Sequence, residues 1–500
     1  SNAGTEGITF VAGTSCDVVL TGAVGGSTRV GVLTVTSAVD VTASAGITAA
    51  SIVQTDATGT ATYGALDTSA SAGISLTGAA IALNGAVNTA NNGTVTVVNS
   101  GALTVAGDMT LAGAFAQSGG GAVTLSADIT TTADAISFTN AVTLGDDVTI
   151  TSAGGDISFD STVDGAQSLT LVAGAGNITL SDAVGGSTRL GVFTITSGAT
   201  VSADAVTAAS IVQTAGSVAS TFGALNTNAA AGISLSGTAI TLNGAVTTTN
   251  DGTFTVVNSG ALTVAADMNL AGAFAQSGGG AVTLSADITT TADAISFTDG
   301  VTLGDDVTIT SAGGDISFDS TVDGAQALTL VAGAGDITLS DAVGGSTRLG
   351  VFTITSGATV STGAVTAASI VETAGSVAST FGALDTNAAA GISLSGTAIT
   401  LNGAVTTTND GTFTVVNSGA LTVAADMTLA GAFTQSGGGT IALSADITTD
   451  GDAISFTDAV TLGDAVTLTS AGGNISFDGT VNGAEDRKST RLNSSHQIIS

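Results

Sequence analysis

The sequence predicts an all-β chain, a right-handed parallel β-helix (β-solenoid) of about seven coils per 159-residue repeat. Three observations carry this. Apolar residues alternate strictly with Ser and Thr in short runs. Gly, Asn and Asp separate those runs. One passage, VTITSAGGDISF at Val148 to Phe159, returns at Val307 to Phe318 and as VTLTSAGGNISF at Val466 to Phe477, 159 residues on each time.

The alternation sets the element type. In VTIT, Val148 and Ile150 point one way and Thr149 and Thr151 the other; in DISFD, Ile157 and Phe159 oppose Ser158 and Asp160. Period two with β-branched residues marks half-buried strands, and no helical period is sustained. The breaks are Gly154-Gly155, Asn243-Gly244 and Asp251-Gly252, residues that accept positive φ at tight corners. Within a copy a shorter rhythm appears, with Ile136, Ile157 and Ile178 spaced 21 apart. Runs of this length in coils of about 20–28 residues suit a solenoid. Three copies then give about twenty coils, on the order of 100 Å at ~4.8 Å per coil. Tandem immunoglobulin-like sandwiches fit less well, because the halves of a copy do not resemble each other. A transmembrane barrel would want aromatic girdles, and aromatics are 3% here.

The copies are read as 1–168, 169–327 and 328–485, with 486–500 a non-native tail. Gly7 to Gly13 lines up with Ser168 to Gly174, so the chain is expected to start inside a repeat. Asp486 to His496, DRKSTRLNSSH, is similar to a translated sequencing adapter and holds the single histidine, His496. The chain is therefore expected to be a fragment of a longer protein.

Composition agrees with a stacked β interior. There are 70 Gly, no Pro and no Trp, so no ladder donor is deleted and a narrow core is not overfilled. A single coil cannot offset its ordering cost of ~1–2 kcal/mol of backbone per residue. Stacking supplies ladder hydrogen bonds and buries Ile, Val, Leu and Phe at about 1.5–3 kcal/mol each. With 39 acidic and 6 basic residues the net charge is −33, yet 43% of residues are hydrophobic, which separates the chain from disordered acidic sequences. This charge argues against nucleic acid and anionic membrane surfaces as partners. No apolar run is long enough to span a bilayer as a helix. Cys16 alone makes no internal disulfide.

The run SAGGDISFDSTVDGAQSLTLVAGAGNITLSDAVGGSTRLG, from Ser152 to Gly191, resembles the repeat regions of giant bacterial surface and secreted proteins of the filamentous-haemagglutinin type. The resemblance extends over residues 1–485. It implies an extracellular or cell-surface β-helical stalk used in adhesion, aggregation or biofilm. Host-cell or matrix glycans or proteins, or further copies of the chain, would be its partners. The family's N-terminal secretion domain is not matched.

Candidate chemistry is sparse. Without the tail there is no His and no Lys, so Ser–His and Cys–His pairs and the usual zinc sites are not available. Arg29, Arg189 and Arg348 occur one per copy in GGSTR, about seven coils apart, and are expected to pair with a nearby Asp at a turn. Asp146-Asp147 and Asp305-Asp306 in LGDD raise weak calcium binding or a glycosidase dyad. Turn capping is the favoured reading, since the third copy has Asp464-Ala465. Gly333 to Asp341, GAGDITLSD, approximates the calcium nonapeptide poorly. TxT pairs such as Thr149-Thr151 and Thr194-Thr196 suggest an ice-binding face, though alternation alone produces them. GAVGGSTRLG lacks the GK[ST] ending of a phosphate loop.

The expectation is a chain with no catalytic, cofactor or metal site: a non-enzymatic stalk or spacer of a large extracellular adhesin or biofilm-matrix protein. The rivals are an ice- or glycan-binding face, and the non-catalytic part of a β-helical glycan-active enzyme. A rank of outward Thr would favour ice, a cleft of converging acids and Arg the enzyme, and a mixed Ser/Thr/Asp coat the spacer.

Overall fold

A computed structural model describes residues 6–214, 218–373 and 377–483. The tail expected at 486–500 lies outside them. The chain divides into two compact units, Ser1–Gly252 and Thr253–Ser500. Each is a β-solenoid of parallel strands, with no helix among the described residues and about 22 turns in all, against the twenty expected.

One coil of the first unit shows the construction. Leu66–Thr68 forms side one, Ile74–Gly78 side two and Ala80–Leu83 side three. The chain then returns to side one at Val87–Thr89, where Val87 registers on Leu66. Alternate residues turn inward, so Ile136 and Phe138 are buried while Ser137 between them faces out. Stacking aligns like with like. Side three of this unit carries an inward ladder Ile81, Leu103, Val123, Val142, Val163, Val184, Val206 and Leu225. Rings stack as well. Phe138 and Phe159 lie 5.0 Å apart and nearly parallel; in the second unit Phe297 lies 5.2 Å from Phe274 and 4.9 Å from Phe318.

Corners demand glycine where coils touch most closely. Gly73 has φ 59°, and a Cβ there would stand 2.0 Å from the Thr94 carbonyl oxygen of the next coil. At Gly121 a Cβ would meet the Gly101 oxygen at 1.6 Å. No side chain fits either place.

In each copy one corner is missing from two successive coils, as in Leu190–Ser197 and the Val206–Gln213 strand stacked on it. Ile47–Gln54, Val206–Gln213 and Val365–Glu372 are eight-residue strands that serve two sides at once. Val206–Ala208 pairs with Leu225–Thr227, and Ile211–Gln213 pairs with Ile233–Leu235. The alternation resets between them, with Ser210 and Ile211 both buried. The strand bends through a change of phase rather than through a turn.

The repeat is not a whole number of coils. From Leu66–Thr68 the chain passes seven coils and two further sides before reaching its equivalent, Leu225–Thr227. That strand therefore stacks on side three, while Ile233–Gly237, equivalent to a side-two strand, continues side one beneath Leu171, Ile195 and Gln213. The second unit behaves alike. The ladder descending from Phe254 reaches Leu421, the equivalent of Leu262, and not Phe413. Within each unit, then, a passage and its repeat occupy different sides of the coil.

Candidate functional site

The residues with chemistry to offer are engaged in holding coils together. Arg29 donates to the carbonyl oxygens of Ala49 and Asp67, each at 2.8 Å, and to Asp67 Oδ1 at 2.9 Å. Arg348 does the same with Ala367, Asp385 and Asp385 Oδ2. Each guanidinium thus links three successive coils, and the expected Asp partner is present in both. In the middle copy Arg189 meets Asn226, whose Oδ1 accepts at 2.7 Å. The ion pairs are partly exposed, 29% and 48% for Arg29 and Asp67, so their Coulomb term is small.

The paired acids cap turns. Asp146 Oδ1 accepts from the Asp147 N–H at 2.9 Å, and Asp147 Oδ1 accepts from the Ser168 N–H of the next coil at 2.7 Å. Asp305, Asp306 and Asp464 repeat the pattern. Asp128 likewise accepts from the Thr149 N–H at 2.7 Å. Among the described residues no three His, Cys, Asp or Glu side chains converge as a metal site.

The outer coat is single file. On side three of the first unit Thr42 registers with Thr62, Thr62 with Ala82, Ala82 with Thr104, Thr104 with Thr124, and Thr143 is followed by Asp164. Hydroxyls do recur coil by coil, more regularly than the TxT pairs suggested, but Ala82 interrupts the rank and Asp164 ends it. A double rank begins at Thr149 and Thr151 and breaks on the next coil, where Thr170 stands beside Val172.

Two buried polar sites escaped the sequence reading. In the first, Gln117 Nε2 donates to Asn99 Oδ1 at 2.7 Å and to Asn140 Oδ1 at 2.9 Å, and Asn140 also receives the Gly120 N–H. Gln276 with Asn258 and Asp299, and Gln435 with Asn417 and Asp458, repeat this clamp on the triple-glycine turn.

The second lies at the straightened strand. Gln54, Gln213 and Glu372 are equivalent, each 1% exposed and pointing inward in an aliphatic column. Gln54 Nε2 donates to the Thr77 carbonyl at 3.0 Å, and Tyr63 Oη donates to Gln54 Oε1 at 2.5 Å. Burial pushes the Tyr63 phenol well up. Gln213 Nε2 donates to the Ser236 carbonyl at 2.9 Å, while Phe222 replaces the tyrosine and Gln213 Oε1 has no partner. In the third copy the residue is an acid. The Ser379 hydroxyl donates to Glu372 Oε1, and Oε2 has no partner. Burial pushes this carboxyl up to about 7 against the opposing Ser379 hydrogen bond. The available signal was SIVQ, SIVQ, SIVE, one charge change at an inward position.

Compared with known protein families, curated proteins and solved structures, the chain matches none.

Proposed function

We propose that the chain is a non-enzymatic stalk or spacer segment of a large extracellular adhesin or biofilm-matrix protein of the filamentous-haemagglutinin type, on a bacterial cell surface. The observation that carries this reading is how the polar groups are used. The three guanidiniums, Asp147 and Asp306 of LGDD and the buried amides bond one coil to the next, while Asp146 and Asp305 cap their own turns, which serves length and stiffness rather than a reaction. On side three Ala82 and Asp164 break the outer rank, and on side two the unbroken rank Ser137, Ser158, Thr179, Ser202, Thr221 and Thr241 is single file and mixes Ser with Thr, which supports the same reading over a regular lattice of paired Thr. Near-identical copies lengthen a stack without adding a new kind of contact, and a weak outer contact repeated along it gains by avidity.

The test is to place the chain between a cell-surface anchor and an unrelated binding domain and to measure the domain's height above the cell. Deleting residues 169–327 should lower the height and leave ligand capture intact, because coils contact only their neighbours. An unchanged height, or polysaccharide cleavage by the purified chain, would contradict the spacer reading.

A further inference from the structure

We propose that Glu372 is a proton-sensitive latch in the straightened strand of the third copy: as the neutral acid it seats the coil, and as the carboxylate it loosens it. In the first two copies the equivalent amide donates to a carbonyl of the following coil, Thr77 or Ser236. The equivalent carbonyl in the third copy is that of Ser395, 159 residues beyond Ser236. A carboxylate has no proton to donate there; a carboxylic acid has one. Glu372 registers between Ile354 and Leu394, so the ionised form meets aliphatic side chains above and below. Oε2 is buried and lacks a partner, and the Ser379 hydroxyl reaches only Oε1. A buried charge with one hydrogen bond is costly, and protonation relieves it.

No titratable group compensates. Leu349–Ser356, Ala378–Phe381 and Ile392–Gly396, the strands stacked around Glu372, carry none. Leu384–Thr386 carries Asp385, which is partly exposed and paired with Arg348. The folded state therefore holds a proton that an opened coil releases. Its pKa is raised to about 7 from an ordinary 4.5. Stability is full below the ordinary value, declines as pH rises from there to about 7, and is level above. The full interval corresponds to about 300-fold in the opening equilibrium.

Hydrogen exchange of the full chain tests this, corrected for intrinsic rates, between pH 5 and 8.5. The second copy is the internal control, because residues 206–237 match 365–396 except at Gln213/Glu372 and Asn226/Asp385. Protection of 365–396 should fall relative to 206–237 by tens of fold, up to about 75-fold, between pH 5 and 8.5. Glu372→Gln should abolish the difference, and Gln213→Glu should impose the same loss on the second copy. Parallel behaviour of the two copies in the native chain, or a pH dependence that survives Glu372→Gln, would overturn the proposal. If Glu372→Gln fails to fold, Gln213→Glu decides alone: no new pH dependence in the second copy refutes the latch.

Discussion

Phe297→Ala removes the ring at the centre of a stack and measures how locally the solenoid is held together. Phe297 is fully buried, with ring neighbours Phe274 at 5.2 Å and Phe318 at 4.9 Å, the latter nearly parallel. Removing a buried Phe costs about 3–5 kcal/mol. That range is the total for the side chain, and the loss of two aromatic contacts worth roughly 0.5–1.5 kcal/mol each places the expected cost in its upper half, near 4–5 kcal/mol. Coils stack only on their neighbours, so the damage should stay near the cavity. Urea denaturation gives the total, and hydrogen exchange locates it. Protection should fall in Phe274–Ser277, Ile295–Phe297 and Ile316–Phe318, while the equivalent strands around Phe138 and Phe456 keep theirs. A loss under about 1 kcal/mol would show that the rings are not packed as described. Protection lost evenly along the chain would refute nearest-neighbour coupling.

Other perturbations follow from the same geometry. Thr386→Val removes a buried hydroxyl that has no partner, and should raise the denaturation midpoint by about 1 kcal/mol equivalent; destabilisation would mean the hydroxyl is bonded. In denaturation, Glu372→Gln should stabilise by up to ~3 kcal/mol at pH 8 and by nothing at pH 4, since both folded and unfolded acids are protonated at the lower pH. Deleting residues 169–327 joins equivalent passages and should leave the melting temperature nearly unchanged, whereas deleting ten fewer residues should lower it sharply by misaligning the ladders.

The strands were legible because the alternation is nearly perfect. ISF reads as inward, outward, inward, and Ile136–Phe138, Ile157–Phe159 and Ile178–Leu180 stack in that register. Glycine breaks marked corners for the same reason that a Cβ at Gly73 or Gly121 would overlap the next coil. The Arg–Asp staple was legible as charge pairing, though the Asn226 variant and the double carbonyl contact were not. Three features stayed hidden. Period two cannot count sides, since walls of three residues and walls of eight look alike in alternation. The shift of each repeat to a different side was therefore invisible. Gln117 shares the inward face with Phe115 in FAQS, but a polar residue reads as outward until its Asn99 and Asn140 partners are known. Glu372 reads as one more surface acid in an acidic chain. Only the Ile354 and Leu394 neighbours place it inside.

The parallel, in-register stacking of consecutive coils is tested most directly by disulfide formation between outward residues. In a Cys16→Ser background, Thr104→Cys with Thr124→Cys places two thiols on directly registered positions of adjacent coils, about 4.8 Å apart along the stack. Thr104→Cys with Thr143→Cys spans two coils, roughly 9.6 Å, beyond disulfide reach. The stacked solenoid predicts rapid oxidation of the first pair, with its melting temperature kept or raised, and none within the second. Equal oxidation of both pairs, or of neither, would contradict it.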